Sequence, residues 1–269
     1  NTAKLKYLNI MGDLIVDNEK DITLTAERIW VQGQFICGNS THRYLKNFKI
    51  LITGNRETEG LILAELVPVG NKVIAVTGNL SFYGKEITVV STRLTAPANS
   101  GDTTIEVEAA AAAVWQVGDE ILILPSQRTP REYEIRTITA ISGTTLTLDK
   151  ALDFFHWGSA TITKTTPYGD LDMRTEVVHL TRNIQIEATR DQNWGGRVVV
   201  TQIYHPTYQI FYRGSAVMDG VSMTFLGQAN TSMAGLTFDT LTANGPESFV
   251  TRCVVRESGA YNALIDRKS

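Results

Sequence analysis

Three stretches of this chain follow one template, and its recurrence constrains the fold more than any other feature. LNIMGDLIV (8–16), IWVQGQFIC (29–37) and IAVTGNLSF (74–82) all place apolar residues two apart on either side of a central glycine. ILITGN (50–55) matches the first half of the same pattern. The glycines, Gly12, Gly33, Gly54 and Gly78, recur at a near-constant interval. Apolar residues two apart put their side chains on one face of a strand. A glycine between two such strands lets the chain bend or take a positive φ. A bent strand pair recurring about every twenty residues is the repeat of a parallel β-solenoid, where each coil buries its apolar face on the next. Few stretches hold a 3.6 period and β-branched residues dominate, so a helical repeat is excluded.

The template lapses between about residues 94 and 165. DTTIEVEAAAAAVWQVGDEILILP (102–125) reads as a strand, one helical turn over Ala109–Ala113, and a turn into another strand. REYEIRTITAISGTTLTLDKAL (131–152) reads as a hairpin around Ser142 and Gly143. Strand rhythm returns in EVVHLTRNIQIEA (176–188), GRVVVTQI (196–203) and QIFYRGSAVMDGVSMTFLG (209–227), and runs on through SFVTRCVVRESG (248–259). The expectation is an all-β chain: solenoid coils over 1–93, a small inserted β-rich subdomain over 94–165, and further coils over 166–269.

Bulk properties exclude several classes. With 43% apolar and 20% charged residues the sequence is that of a folded globular protein. A net charge of −3 without a basic run argues against nucleic-acid binding. No apolar run approaches the roughly 20 residues of a membrane helix. Cys37 and Cys253 are too few for a disulfide framework. His42, His156, His179 and His205 share no metal-ligand spacing, and each reads as a packed or hydrogen-bonded single residue. No P-loop, dinucleotide fingerprint or nucleophile elbow is present, so neither cofactor nor metal is expected. The sequons at Asn39, Asn79 and Asn230 suit a secreted protein. Both ends run in strand rhythm, which predicts a piece of a longer protein whose end coils are covered by neighbouring domains or chains.

One charged stretch stands out. DMRTEVVHLTRNIQI (172–186) packs Asp172, Arg174, Glu176, His179 and Arg182 between alternating apolar residues. Together with LTAERIWVQGQFICG, KVIAVTGNLSFYGKEIT, VWQVGDEILILPS, NWGGRVVV and VMDGVSMTFLGQ, taken in order, it resembles the eight-glycine (G-eight) domain family. That family includes fibrocystin, fibrocystin-like proteins, cell migration-inducing hyaluronidase and its transmembrane relative. The resemblance covers essentially the whole chain, and its most specific part is Arg-x-Glu-Val followed by Arg-Asn-Ile. It implies a right-handed parallel β-helix continuing from the eight-glycine part. It also implies an extracellular or cell-surface setting, with a surface or ciliary assembly as one context.

The family's hyaluronan-degrading branch carries His-Phe-His, Ile-His-His and Val-His-Gly on successive coils. Those motifs fall here on Thr237-Phe238-Asp239, Val255-Arg256-Glu257 and Ile265-Asp266-Arg267, and residues 227–269 contain no histidine. Thr and Arg cannot replace imidazole as acid, base or metal ligand near neutral pH.

Other candidates remain. Asp219, Asp239 and Glu257 recur at close to the interval of the glycine template. If every coil has that length they would stack as a carboxylate ladder, giving the paired acids of glycoside hydrolysis or a cation site. HPTYQIFYRG (205–214) gathers Tyr208, Tyr212 and Arg213 beside Tyr204 and Phe211, the residue types of sugar or peptide binding. Glu176 is expected to pair with Arg174 or Arg182 as a structural clasp where the solenoid resumes. The expected function is a non-catalytic structural or ligand-binding module, with an extracellular glycan or protein as ligand. The alternative is a polysaccharide-depolymerising enzyme.

Overall fold

A computed structural model describes residues 4–64, 67–161, 164–167, 169–239 and 247–266. The chain forms two compact units, one of Asn1–Glu86 with Arg182–Ser269 and one of Ile87–Thr181.

The first stretch holds β1 (Lys4–Ile10), β2 (Asp13–Ile15), β3 (Ile22–Val31), β4 (Gln34–Cys37), β5 (Phe48–Ile52), β6 (Leu61–Leu63), β7 (Val67–Gly70), β8 (Val73–Val76) and β9 (Asn79–Tyr83). Each glycine template becomes a strand pair: β1 and β2 around Gly12, β3 and β4 around Gly33, β8 and β9 around Gly78.

The inserted unit holds β10 (Ser91–Arg93), β11 (Thr104–Glu106), α1 (Ala109–Ala112), β12 (Glu120–Ile123), β13 (Glu134–Ser142), β14 (Thr145–Leu148), β15 (Lys164–Thr166), β16 (Gly169–Leu171) and β17 (Glu176–His179). Six of these strands form an antiparallel sheet in the order β10-β17-β12-β13-β14-β11. The hairpin read at Ser142 and Gly143 is present, Ser142 pairing with Thr145 across Gly143 at φ +59°. Ile105, Trp115, Ile121, Ile123, Leu146 and Val177 fill its core, and the single helical turn contributes the buried Ala111. Because Val177 pairs with Thr92, the EVVH segment belongs to this sheet, and the strand that returns to the solenoid ladders is the following one.

That return comprises β18 (Ile184–Ala188), β19 (Arg197–His205), β20 (Ile210–Arg213), β21 (Ser215–Asp219), β22 (Val221–Thr224), β23 (Leu236–Asp239), β24 (Phe249–Thr251), β25 (Val254–Arg256) and β26 (Ala263–Asp266). In the first unit, strands from successive passes of the chain pair in parallel as three ladders. The first ladder runs from Ile22–Ala26 of β3 through β5, β18 and β22 to β25. The second runs from β1 through Arg28–Val31 of β3, then β8, β19 and β23 to β26. The third runs β2, β4, β9, β21, β24. In-register pairing stacks like on like: Ile29 on Ile74, Ile74 on Val198, Val198 on Leu236. All four are buried, and each such side chain contributes about 1.5–3 kcal/mol. β8 is buried on both faces, because Ala75 and Val199 also pack under the β6–β7 hairpin through Leu63 and Val69.

Gly33 and Gly78 are needed for close approach of backbones, not for a positive φ. A Cβ on Gly33 would lie 2.3 Å from the Gly12 carbonyl oxygen, and one on Gly214 2.3 Å from that of Val76. The backbone of each corner rests directly on the corner below. Gly12, at the end of the column, has nothing within 4 Å, and of the four template glycines Gly54 is the one at positive φ, +112°.

Candidate functional site

The charged stretch resolves into separate contacts. Glu176 faces Arg93 at 3.6 Å, its directly opposite residue on β10, rather than Arg174 or Arg182. The antiparallel register lays Arg93 directly across from Glu176, while Arg174 precedes the strand and is engaged elsewhere. Arg174, buried, is held by Asp172 at 2.7 Å and Glu108 at 2.8 Å, so the clasp forms next to α1. The Arg174 hydrogen bond holds the Asp172 carboxyl below its usual range. Arg182 belongs to the other unit and donates to the Arg252 carbonyl at 2.6 Å.

The three acids do not stack. Asp219 is on β21 in the third ladder, Asp239 on β23 in the second, and Glu257 follows β25 in the first. The physical reason is coil length. Ser222 pairs with Val254 and Val217 with Phe249, so a full coil here is much longer than the glycine template. A step from Asp219 to Asp239, or from Asp239 to Glu257, therefore changes ladder instead of climbing one. Asp219 is buried between Arg43 at 2.6 Å and Arg252, whose Nε lies at 2.8 Å. Burial would raise its carboxyl, but hydrogen bonds from Arg252 and Arg43 outweigh this and lower it. Asp239 pairs in register with Asp266, and Glu257 forms an ion pair with Arg190. Among the positions of the family's histidine motifs, Thr237 is buried on β23, Arg256 ends β25, and Arg267 lies outside the described residues.

The aromatic cluster forms a hairpin that leaves the second ladder. β19 extends past its parallel partners and pairs antiparallel with β20, with the turn at Pro206–Gln209. Tyr204 pairs with Phe211 and Gln202 with Arg213, so these four share one face. Tyr212 is on the opposite face, half-buried against Ile203 and the β6–β7 cluster. Tyr208 occupies the turn, 4.5 Å from the His205 ring. Tyr208 and Phe211 are 64% and 60% exposed, large aromatic areas left in water. The Tyr204 and Phe211 rings are 4.8 Å apart. Tyr208, Tyr212 and Arg213 therefore do not share one face; Arg213 lies on the face of Tyr204 and Phe211.

The remaining histidines occupy separate settings. Fully buried His156 lies between the Leu124 carbonyl and the Glu134 carboxylate, each 2.9 Å away. His179 is 2.9 Å from Asp119 and stacks near Trp115. His42 contacts the Thr41 hydroxyl at 3.0 Å. Cys37 and Cys253 are both free thiols, raised by burial. Among the described residues no group of His, Cys, Asp or Glu is placed to hold a metal ion.

A second feature was missed from sequence. The turns joining the first ladder to the second line a cleft of about 460 Å³. Its floor is nearly bare backbone, since a Cβ on Gly195 would lie 2.1 Å from the Phe225 oxygen and one on Gly259 2.2 Å from the Asn193 oxygen. Its rim carries Arg190, whose guanidinium lies 3.9 Å from the Phe225 ring centroid, and Asp191, which accepts the Arg56 backbone N–H at 3.0 Å. The sequence signal was a second, longer period: Gly195, Gly227 and Gly259 recur at one equal interval, the same as that from Ser222 to Val254.

Residues 1–95 match the family described as the G8 domain. The chain carries a G8 domain. The G8 segment supplies the strands from β1 to β10, including the Gly33 and Gly78 corners. The chain is 34% identical over 206 residues, 74% of its length, to mouse (Mus musculus) fibrocystin-L, of which it spans 5%. It is 27% identical over 256 residues, 91% of its length, to a G8 domain-containing protein of Dictyostelium discoideum, of which it spans 16%. Likeness to these relatives thus runs past the G8 segment into the later coils. Among solved structures, the tailspike gp49 of Pseudomonas phage LKA1 matches at 15% identity over 89% of this chain and 31% of that one, with a TM-score of 0.31.

Proposed function

We propose that this G8-domain chain is a non-catalytic binding module of a larger extracellular or cell-surface protein, built as a right-handed parallel β-helix with an inserted antiparallel unit. The ladders provide a rigid frame, and the β19–β20 hairpin presents the binding face. The observation that carries the reading is the face formed by Tyr204, Phe211, Gln202 and Arg213, where aromatic rings stand exposed beside a guanidinium and an amide. Aromatic faces bind the C–H side of sugar rings by apolar contact, while planar polar groups fix the hydroxyls. A glycan is thus the preferred ligand class. Catalysis is disfavoured because Asp219 is consumed by two arginines and the three acids are on different ladders.

The test is an array of extracellular polysaccharides probed with the intact chain and with a Tyr204→Ser, Phe211→Ser, Arg213→Ala variant. Binding by the parent that falls at least tenfold in the variant supports the reading. Equal binding by both, or none by the parent, overturns it.

A further inference from the structure

We infer that the cleft between the turns after β18, β22 and β25 is a second binding site, specific for an uncharged saccharide of one or two rings. It does not rest on the hairpin reading, because it uses different residues on different turns.

Size and shape come first. A cleft of about 460 Å³ lies inside the roughly 300–1,000 Å³ range of small-molecule sites. Its floor is held open by geometry: stacked backbones leave no room for a Cβ at Gly195 or Gly259, so no side chain fills the space above them. Lys72 fixes that floor from beneath. Fully buried, it donates to the Thr189 carbonyl at 2.6 Å and the Trp194 carbonyl at 2.9 Å, and Trp194 is anchored again through its indole N–H on Asn71 at 2.9 Å.

Charge selects the ligand class. Arg190 is paired with Glu257, and the Asp191 carboxylate, which accepts the Arg56 backbone N–H, lies in the field of the buried Lys72 ammonium, so the two cations and two anions around the cleft balance. A charged ligand would have to break the Arg190–Glu257 pair without gaining a second one. An apolar ligand would desolvate polar walls for nothing. What remains unengaged are amides: the side chains of Gln192 and Asn193 make no hydrogen bond among the described residues. A primary amide offers donors and acceptors in one plane, matching a vicinal hydroxyl pair.

The backbone supplies an independent sign. Gln192, Asn193, Phe225 and Glu257 all hold positive φ, at +43°, +67°, +57° and +55°. Such conformations cost about 1–3 kcal/mol each and concentrate where side chains must be aimed. Phe225 and Glu257 occupy equivalent corners of successive coils, so the fold accounts for those two. Asn193 precedes Gly195 by the same two residues by which Phe225 and Glu257 precede Gly227 and Gly259, so Gln192 is the one without such a counterpart.

The experiment follows backbone amide shifts by NMR while the 269-residue chain is titrated with glucose, galactose, mannose and N-acetylglucosamine, and with glucuronic acid and glucosamine as charged probes. At least one neutral sugar is expected to shift the Gly195, Gly227 and Gly259 amides. A Gln192→Gly, Asn193→Gly variant keeps the backbone conformation, since glycine accepts positive φ. It should weaken that response at least tenfold, and Phe211→Ser should leave it unchanged. No response at the cleft to any neutral sugar, a stronger response to a charged probe, or a response untouched by the double glycine variant would each overturn the inference.

Discussion

Gly78 sits so close over Gly33 that a Cβ on Gly78 would come within 2.1 Å of the Gly33 carbonyl oxygen. Successive coils also share hydrogen bonds at this corner, Asn79 N–H donating to that same oxygen at 2.8 Å. Neither backbone can retreat without breaking the ladders on both sides. Gly78→Ala is therefore expected to destabilise the chain by about 1–3 kcal/mol, the cost of overpacking a fixed site. Gly12→Ala, at the open end of the column, should change stability by less than about 0.5 kcal/mol. Urea denaturation of both variants checks the contrast, and equal losses would contradict the stacked-corner account.

Asp219 joins Arg43 and Arg252 across the coils. Asp219→Asn removes the charge and leaves both guanidiniums facing a neutral amide. Since Arg252 is partly exposed, the loss is expected at about 1–3 kcal/mol, below the roughly 3–5 kcal/mol of a fully buried pair. The carboxyl is held below its ordinary value, so its contribution is present above the unfolded pKa of about 3.9 and is lost as pH falls through the lower folded value. The parent should lose stability in that acid window while Asp219→Asn shows a flatter profile. Acid unfolding followed by circular dichroism checks this; parallel profiles would remove Asp219 from the account.

Glu134 gives the inserted unit a comparable anchor. Buried, it accepts the N–H groups of Asp153 and Phe154, each at 2.9 Å, together with His156 and Arg136. Burial raises its carboxyl, but these hydrogen bonds and the Arg136 charge outweigh that and leave it lowered. Glu134→Ala should cost about 2–4 kcal/mol, since it removes the carboxylate from His156, Arg136 and two backbone N–H groups while Arg136 keeps Asp153 at 3.1 Å. Fluorescence of Trp115, in the core of the same unit, reports it. A variant with unchanged Trp115 emission and melting would refute the anchor.

The three sequons differ in geometry. Asn39 is exposed, and its Oδ1 accepts from Thr41 and His42, which leaves the amide nitrogen outside those bonds. Asn230 is exposed at a loop. Asn79 pairs between Gln34 and Ser215 inside the third ladder, and its Oδ1 accepts from Ser215 at 3.1 Å. Passage through a eukaryotic secretory pathway should yield folded protein with glycan at Asn39 and Asn230 and none at Asn79. Glycopeptide mass spectrometry decides, and occupied Asn79 in folded protein would contradict the ladder register.

Much of the fold was legible because the Gly12, Gly33 and Gly78 templates are both strand signal and corner signal. The later coils were harder. Coil length varies, from 21 residues between Leu8 and Ile29 to 45 between Ile29 and Ile74 and 32 between Ser222 and Val254, so the interval of the glycine template aligned Asp219, Asp239 and Glu257 falsely. Residue type alone made Glu176 and Arg174 look like partners, whereas the antiparallel register with β10 places Arg93 opposite Glu176. The aromatic cluster was visible in sequence, but the split of Tyr212 from Arg213 needed the hairpin register. The cleft escaped notice because its defining residues are glycines, which carry no chemical signature of their own.

The most direct test of binding without turnover is polymer chain length. Hyaluronan and other uronic-acid polymers, incubated with the purified chain and sized by light scattering, should keep their full length while the array detects binding through the hairpin. Shortening of any of these polymers that disappears in Asp239→Asn or Glu257→Gln would contradict the account and establish an enzyme.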